Sequence, residues 1–236
     1  TPRTSSAASD VYKRQGADGN VALELVVRGA AGGHSGMDIH KGLANANKLG
    51  NRVVLEALDH VDLRVASIQG GGLRNAIPRE SKITLVCAQQ DLSALETALT
   101  ESRDTLKAEY ATTDRDLTVE WSSSALPSHV MGEEDQYALL LAIQTCPVGI
   151  HRMSPDIPGL VQTSNNLARV DVQGGQVEIQ CLNRSSVDSE KDDHARSIEA
   201  AFALAGLHTD RSGAYPGWTP NPVSYTHLRA HETLLY

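Results

Sequence analysis

From Val21 to Ser123 the spacing of apolar residues switches between a period of two and a period near 3.6, and that order restricts the fold more than any other feature of the chain. Val21 to Arg28 alternates and is rich in Val and Leu, which predicts a strand leading into the Gly-rich turn 29–36. Asp38 reads as the N-cap of a helix from Ile39 to about Leu58, with Leu43, Ala46, Val53 and Ala57 on one face. Leu63 to Gln69 and Glu80 to Ala88 predict two strands around Gly70-Gly71-Gly72. Asp91 opens a second helix to about Tyr110, striped by Leu92, Leu95, Leu99 and Leu106, and Leu117 to Ser123 closes the unit as a strand.

A second unit of similar order follows. Gly132-Glu133-Glu134-Asp135 suits the positive end of a helix dipole and precedes the apolar helix Tyr137 to Thr145. Leu160 to Ser164, Ala168 to Val172 and Gln176 to Asn183 read as strands, with a polar break between the first two and a hairpin turn at Gly174-Gly175. Ser189 to Gly206 reads as a helix with Ile198, Ala201, Phe202 and Leu204 inward, and His208 to Ala214 as a last strand. The prediction is an α+β fold of two successive split βαβ-like units, about 19–124 and 130–213, with an antiparallel sheet and helices on one face.

Composition removes several function classes. Twenty-one basic against 29 acidic residues give a net charge of -8 and no basic stripe, so no nucleic-acid partner is expected. The longest apolar run, Tyr137 to Ile143, falls far short of the roughly 20 residues a membrane span requires, so no membrane partner is expected either. Cys87, Cys146 and Cys181 are odd in number and contain no C-x-x-C. Neither a disulfide framework nor a thiolate zinc site is predicted, and reduced thiols in a cytoplasmic protein are the simplest account.

Four polar clusters fall at predicted element ends, where function concentrates. Gly32-Gly33-His34-Ser35-Gly36 presents one imidazole from a backbone free of bulk, although a lone loop histidine is commonly structural. In Gly70 to Glu80, Asn75 offers an amide that serves either a ligand or its own turn. Gln162 to Leu167 reads as a polar break or a turn. Cys181 to Ser186 ends a strand on Arg184, whose fork suits a bidentate carboxylate or a surface ion pair.

In this order the clusters carry a resemblance. Gly-Gly-His-Ser-Gly-Met-Asp-Ile-His at 32–40, Ala-Asn-Ala-Asn-Lys-Leu at 44–49, Arg-Asn-Ala-Ile-Pro-Arg-Glu at 74–80 and Ala-Tyr-Pro-Gly-Trp at 214–218 closely resemble the cytosolic aminoacyl-histidine (Xaa-His, nonspecific) dipeptidases of the two-zinc exopeptidase superfamily. The resemblance runs from about Val21 to Pro222. It implies that residues 16–213 are the lid inserted in a split catalytic domain, with 214–222 a hinge into that domain. Zn2+ would then be held by residues outside this chain, and no metal ligand is assigned here. By the same resemblance His34 matches the lid histidine that stabilises the oxyanion, Asn75 the asparagine that binds substrate backbone, and Arg184 the arginine that clamps the free carboxylate. His40 and Thr163 lie nearby without an assigned role, and Glu133-Glu134 reads as a helix cap rather than a catalytic pair. The implied partners are a dipeptide substrate, the missing catalytic domain and a second copy in a homodimer. The isolated segment is expected to lack hydrolysis. The alternatives are a non-catalytic dimerisation or interaction module, or the lid of a related aminopeptidase or deacylase.

The ends read differently from the middle. Residues 10–15, Asp-Val-Tyr-Lys-Arg-Gln, and residues 223–233, Val-Ser-Tyr-Thr-His-Leu-Arg-Ala-His-Glu-Thr, resemble translated sequencing-adapter read-through. Segments 1–15 and 223–236 are therefore expected to be non-native, and the His227/His231 pair is left out of any metal reading.

Overall fold

The computed structural model describes residues 2–7, 12–14 and 19–213. In chain order the strands are β1 (Pro2–Ala7), β2 (Tyr12–Arg14), β3 (Asn20–Arg28), β4 (Gly33–His34), β5 (Leu63–Gly71), β6 (Ala76–Ile77), β7 (Ser81–Ala88), β8 (Thr118–Ser124), β9 (His129–Met131), β10 (Gly149–Met153), β11 (Val161–Gln173), β12 (Gln176–Ser185) and β13 (Thr209–Arg211). The helices are α1 (Ala46–Leu58), α2 (Leu92–Glu109), α3 (Glu133–Thr145) and α4 (Asp188–Ala203). Eight strands run in the order β13-β1-β12-β11-β5-β7-β3-β8, and β10 pairs with β11 off that path. Every pairing is antiparallel. The α+β architecture expected from the alternation of periods is the one observed.

The two-residue period of the strands sets the layers. Leu23, Leu25 and Val27 of β3 join the main core with Leu63, Val65, Ile83 and Leu85, and the same core takes in Val53 and Val54 of α1, Leu95 and Leu99 of α2, Leu140 of α3 and Phe202 of α4. Ala22, Ala66 and Val86 form a smaller apolar cluster with Val130 of β9. Burying a Leu or Phe side chain as fully as Leu25, Leu99 or Phe202 contributes about 1.5 to 3 kcal/mol each, so the helix layer is fixed mainly by this stripe.

β11 joins the two halves. Its C-terminal part, Arg169 to Val172, pairs with β5, while Val161 to Asn165 pair with β10, so β5 and β10 share one edge of the same long strand. The β4–β6 pair and the 3-10 turn Ile39–Lys41 pack over β11, where that turn also meets β10. This is where the polar clusters converge.

Several local expectations are corrected. Asp38 does not start α1. Its carboxylate accepts from the His34 backbone N–H at 2.7 Å, only one 3-10 turn follows, and Gly42 at φ 67° breaks the chain out of helical geometry. The N-cap is Asn45, whose side-chain oxygen accepts from the N–H groups of Asn47 and Lys48. The polar break at 162–167 is no break, because β11 runs through it. Leu204, expected inward, is 90% exposed just past the last turn of α4. β9 and β10 carry no period-two signal long enough to predict.

Residues 2–7 pair with β12 and β13, and residues 12–14 pair with β9. A backbone ladder reads no side chain, so a sheet position is compatible with adapter-like sequence. The expected hinge at 214–222 and the tail at 223–236 lie outside the described residues.

Candidate functional site

The site grows from two short strands laid over the joint strand. β4 and β6 pair through Gly33 with Ile77 and His34 with Ala76, and the Ser35 N–H donates to the Asn75 carbonyl at 2.8 Å. His34 and Asn75 are thereby brought to one place from positions 41 residues apart in the sequence. On β12, Arg184 stands opposite Ser164 of β11. Thr163 and Asn165, the neighbours of Ser164, reach Glu190 of α4 and the Pro147 carbonyl, so strand alternation points Arg184 to the face away from α4.

Gly36 shows how tightly the two halves meet. A Cβ built on it would lie 3.3 Å from His34 Cε1 and 3.4 Å from Arg184 Nε, so the imidazole and the guanidinium flank one glycine. A side chain there would have to push one of them away. The structure thus brings His34 and Arg184 together, with Asn75 tied to the same loop by its backbone and its own side chain exposed.

The imidazole's proton can be placed from its neighbours. His34 Nδ1 accepts from the backbone N–H groups of Gly36 at 3.2 Å and Met37 at 3.1 Å, so Nδ1 carries no proton and the neutral ring offers its N–H at Nε2. Burial, and then the Arg184 cation, hold the His34 pKa below its ordinary value, which favours this neutral form. Asp38 opposes them weakly. Its carboxylate is itself held low by Lys41, 2.6 Å away, and by the His34 backbone N–H.

A buried amide network holds the loop from below. Asn166, fully buried on β11, donates from Nδ2 to the carbonyls of Ala76 at 2.7 Å and Arg74 at 3.3 Å, and its Oδ1 accepts from Asn45 Nδ2 at 3.3 Å. Asn45 Nδ2 also reaches the Leu167 carbonyl at 3.1 Å. These two asparagines were not predicted as site residues. The available signal was the polar run Gln162 to Asn166 leading straight into the strand-like Leu167 to Val172, and a buried network accounts for it. Asn166→Leu keeps the branched shape but takes their side-chain donor from the Ala76 and Arg74 carbonyls and leaves Asn45 Nδ2 with the Leu167 carbonyl alone. It is expected to cost about 2 kcal/mol in urea unfolding. A midpoint and slope equal to those of the unaltered chain would show that the network contributes nothing.

The other named candidates separate from this centre. His40 is exposed in the 3-10 turn. Thr163 is fully buried and engages Ser185 Oγ at 2.7 Å and the Glu190 carboxylate, a structural role on a strand rather than at a loop start. Glu133 and Glu134 lie in the first turn of α3, and Glu133 pairs with Arg64 at 2.9 Å. Among the described residues no three His, Cys, Asp or Glu side chains gather as metal ligands. The donor set present does not fit the zinc that the resemblance implies, and no chemistry of this chain is derived through a metal.

With this geometry in place, the comparisons with known proteins are specific. The pattern of a family described as a peptidase dimerisation domain matches residues 26–114. The cytosol non-specific dipeptidase of Escherichia coli K12 is 36% identical over 202 residues, which is 86% of this chain and 42% of that protein. A crystal structure of aminoacylhistidine dipeptidase from Vibrio alginolyticus superposes with a TM-score of 0.88 at 32% identity, covering 96% of this chain and 46% of that one. Over most of its length the chain is similar in sequence and in fold to one part of these dipeptidases. It spans less than half the length of either relative. In this chain, then, the imidazole comes from the first half and the guanidinium from the second, and β11 with its asparagines holds the halves in register.

Proposed function

We propose that this chain is the substrate-side half of a metal-dependent dipeptidase, closing over a dipeptide in a protein whose zinc ligands and catalytic base lie outside it. The supporting observation is the meeting of a neutral imidazole N–H donor and a guanidinium beside Gly36. In this reading Arg184 holds the free carboxylate, the feature that separates a dipeptide from an internal peptide bond. Asn75 offers its exposed amide to the substrate backbone. The Nε2–H of His34 donates to the carbonyl oxygen as negative charge develops on it. A neutral ring suits that task, because the donor is in place without a proton being taken up first. Xaa-His and other dipeptides are the substrate class, the cytoplasm is the compartment, and the isolated chain hydrolyses none of them. The relatives' names support this reading over a related aminopeptidase or deacylase.

The test uses the full-length protein that carries this segment. His34→Ala is expected to lower kcat for a dipeptide about 100-fold with little change in KM, because the lost contact strengthens only as charge develops. An unchanged kcat would remove His34 from the reaction.

A second reading rests on the description of the family matched over residues 26–114, that of a dimerisation domain. In it the chain also pairs with a second copy of itself. Sedimentation that gives a monomer across the accessible concentration range would reject this.

A further inference from the structure

Cys146 caps the end of α3 and Cys181 sits in β12, yet their Sγ atoms lie 3.9 Å apart in the core and neither residue is more than 2% exposed. Two sulfurs at that distance are already in contact. Bonding them requires closure to about 2 Å, which small side-chain rotations supply when both partners are free to make them. Asn165 limits the alternatives. Its amide lies 3.9 Å from Cys146 Sγ and donates to the Pro147 carbonyl at 2.7 Å, which keeps Cys146 turned toward β12. Lys48 sets a positive charge beside the pair, its Nζ donating to the carbonyls of Gln144 at 2.6 Å, Ile143 at 2.9 Å and Cys146 at 3.3 Å. Cys87, the remaining cysteine, lies on β7 in the other half of the sheet.

We infer that Cys146 and Cys181 form a redox pair, closed to a disulfide by hydrogen peroxide, that staples the end of α3 to β12 three residues before Arg184. The reaction balances with peroxide as the sole oxidant. The thiolate of one cysteine attacks a peroxide oxygen and breaks the O–O bond, giving a sulfenic acid, while the departing hydroxide takes up the thiol's proton as water. The second thiol attacks the sulfenic sulfur, the S–S bond forms, and a second water leaves. Two thiols and one peroxide become one disulfide and two waters.

Peroxide is small enough to enter where a bulky disulfide reagent is not. The contact with Cys181, and then burial, push the Cys146 thiol well above its ordinary range, and Lys48 acts only weakly against them. Oxidation is therefore slow at neutral pH and quickens as pH rises. The closed bond spans a sequence separation of 35 and encloses β10, whose Ile150 stands in one cross-strand row with Ser164 and Arg184. Closing that loop constrains the unfolded chain and rigidifies the strand that carries Arg184.

The test is oxidation of the full chain with hydrogen peroxide, then denaturation in acid, alkylation and peptide mass mapping. The expected product has lost two hydrogens, keeps one alkylatable thiol at Cys87, and yields a reducible peptide joining Cys146 to Cys181. Its melting temperature should rise by about 5 °C or more and return on reduction. Cys181→Ser should show neither change, and if that variant does not fold, the map of the unaltered chain still decides. Three alkylatable thiols after treatment, separate oxygenated cysteines, or a bridge that includes Cys87 would each overturn the inference.

Discussion

Arg184→Ala in the full-length protein is expected to lower kcat/KM toward a dipeptide roughly 30-fold to 1,000-fold, about 2 to 4 kcal/mol of transition-state stabilisation. The magnitude follows from leaving a substrate carboxylate without its charged partner in a half-enclosed site. The loss should depend on the substrate. A dipeptide amide has no carboxylate to hold, so it should be a poor substrate for the unaltered protein and be hardly affected by the substitution. His34→Ala should instead slow both substrates, because the oxyanion forms whichever terminus is present. Arg184→Lys keeps the charge and loses the fork, and should fall between. The isolated chain gives an independent readout. The Arg184 cation contributes to the lowered His34 pKa, so Arg184→Ala should move the His34 titration upward in an NMR pH series. Equal losses on the free dipeptide and on its amide would make Arg184 a structural residue of β12 rather than a clamp.

The sequence carries the α+β order because each half writes its core in strand and helix periods that do not conflict. Leu23, Leu25 and Val27, or Leu95, Leu99 and Leu106, leave little choice of element or face. It is less legible where burial is polar. Asn165 and Asn166 look like turn residues until the strand partners on both sides are known, since a buried asparagine is stable only with its network complete. Asp38 is a good cap on paper, and what moves the start of the helix on to Asn45 is Gly42, whose left-handed backbone ends the first turn. The site has the same character. His34, Asn75 and Arg184 can be named from motif order, but nothing in their spacing says that Gly36 holds a ring on one side and a guanidinium on the other. That contact depends on β11 pairing with both β5 and β12, a long-range register that no local pattern encodes.

His194 was hidden for a related reason: among Lys191, Asp192 and Asp193 it reads as a surface residue, yet it is 1% exposed. The chain should consequently lose about 3 kcal/mol of stability between pH 7 and pH 4 through this one group. Asn183 donates from Nδ2 to the Lys191 carbonyl at 2.8 Å, so its Oδ1 is the acceptor for His194 Nδ1–H at 2.9 Å. Nε2 is buried and finds no partner among the described residues. Protonating it would bury a charge without an acceptor, with the His151 ring 4.3 Å away. Burial, and then repulsion from His151, lower the His194 pKa to about 4 from 6.5. The sign follows from proton uptake. Between pH 6.5 and 4 the unfolded chain binds a proton that the folded chain does not, so stability is full above pH 6.5, falls as acid is added and levels off below about 4. Carboxylates with lowered pKa values, such as Glu190 and Glu199, add their losses at the acid end of this range, near and below the ordinary carboxylate pKa, which leaves pH 5 to 6.5 to His194 and to His34, whose pKa is also lowered. Urea unfolding at a series of pH values, compared with His194→Asn, which keeps a donor toward Asn183 but cannot titrate, separates the two. The variant should be flatter from pH 6.5 to 5, and parallel profiles for the two chains would mean that His194 is charged in the fold and that its burial carries no pH dependence.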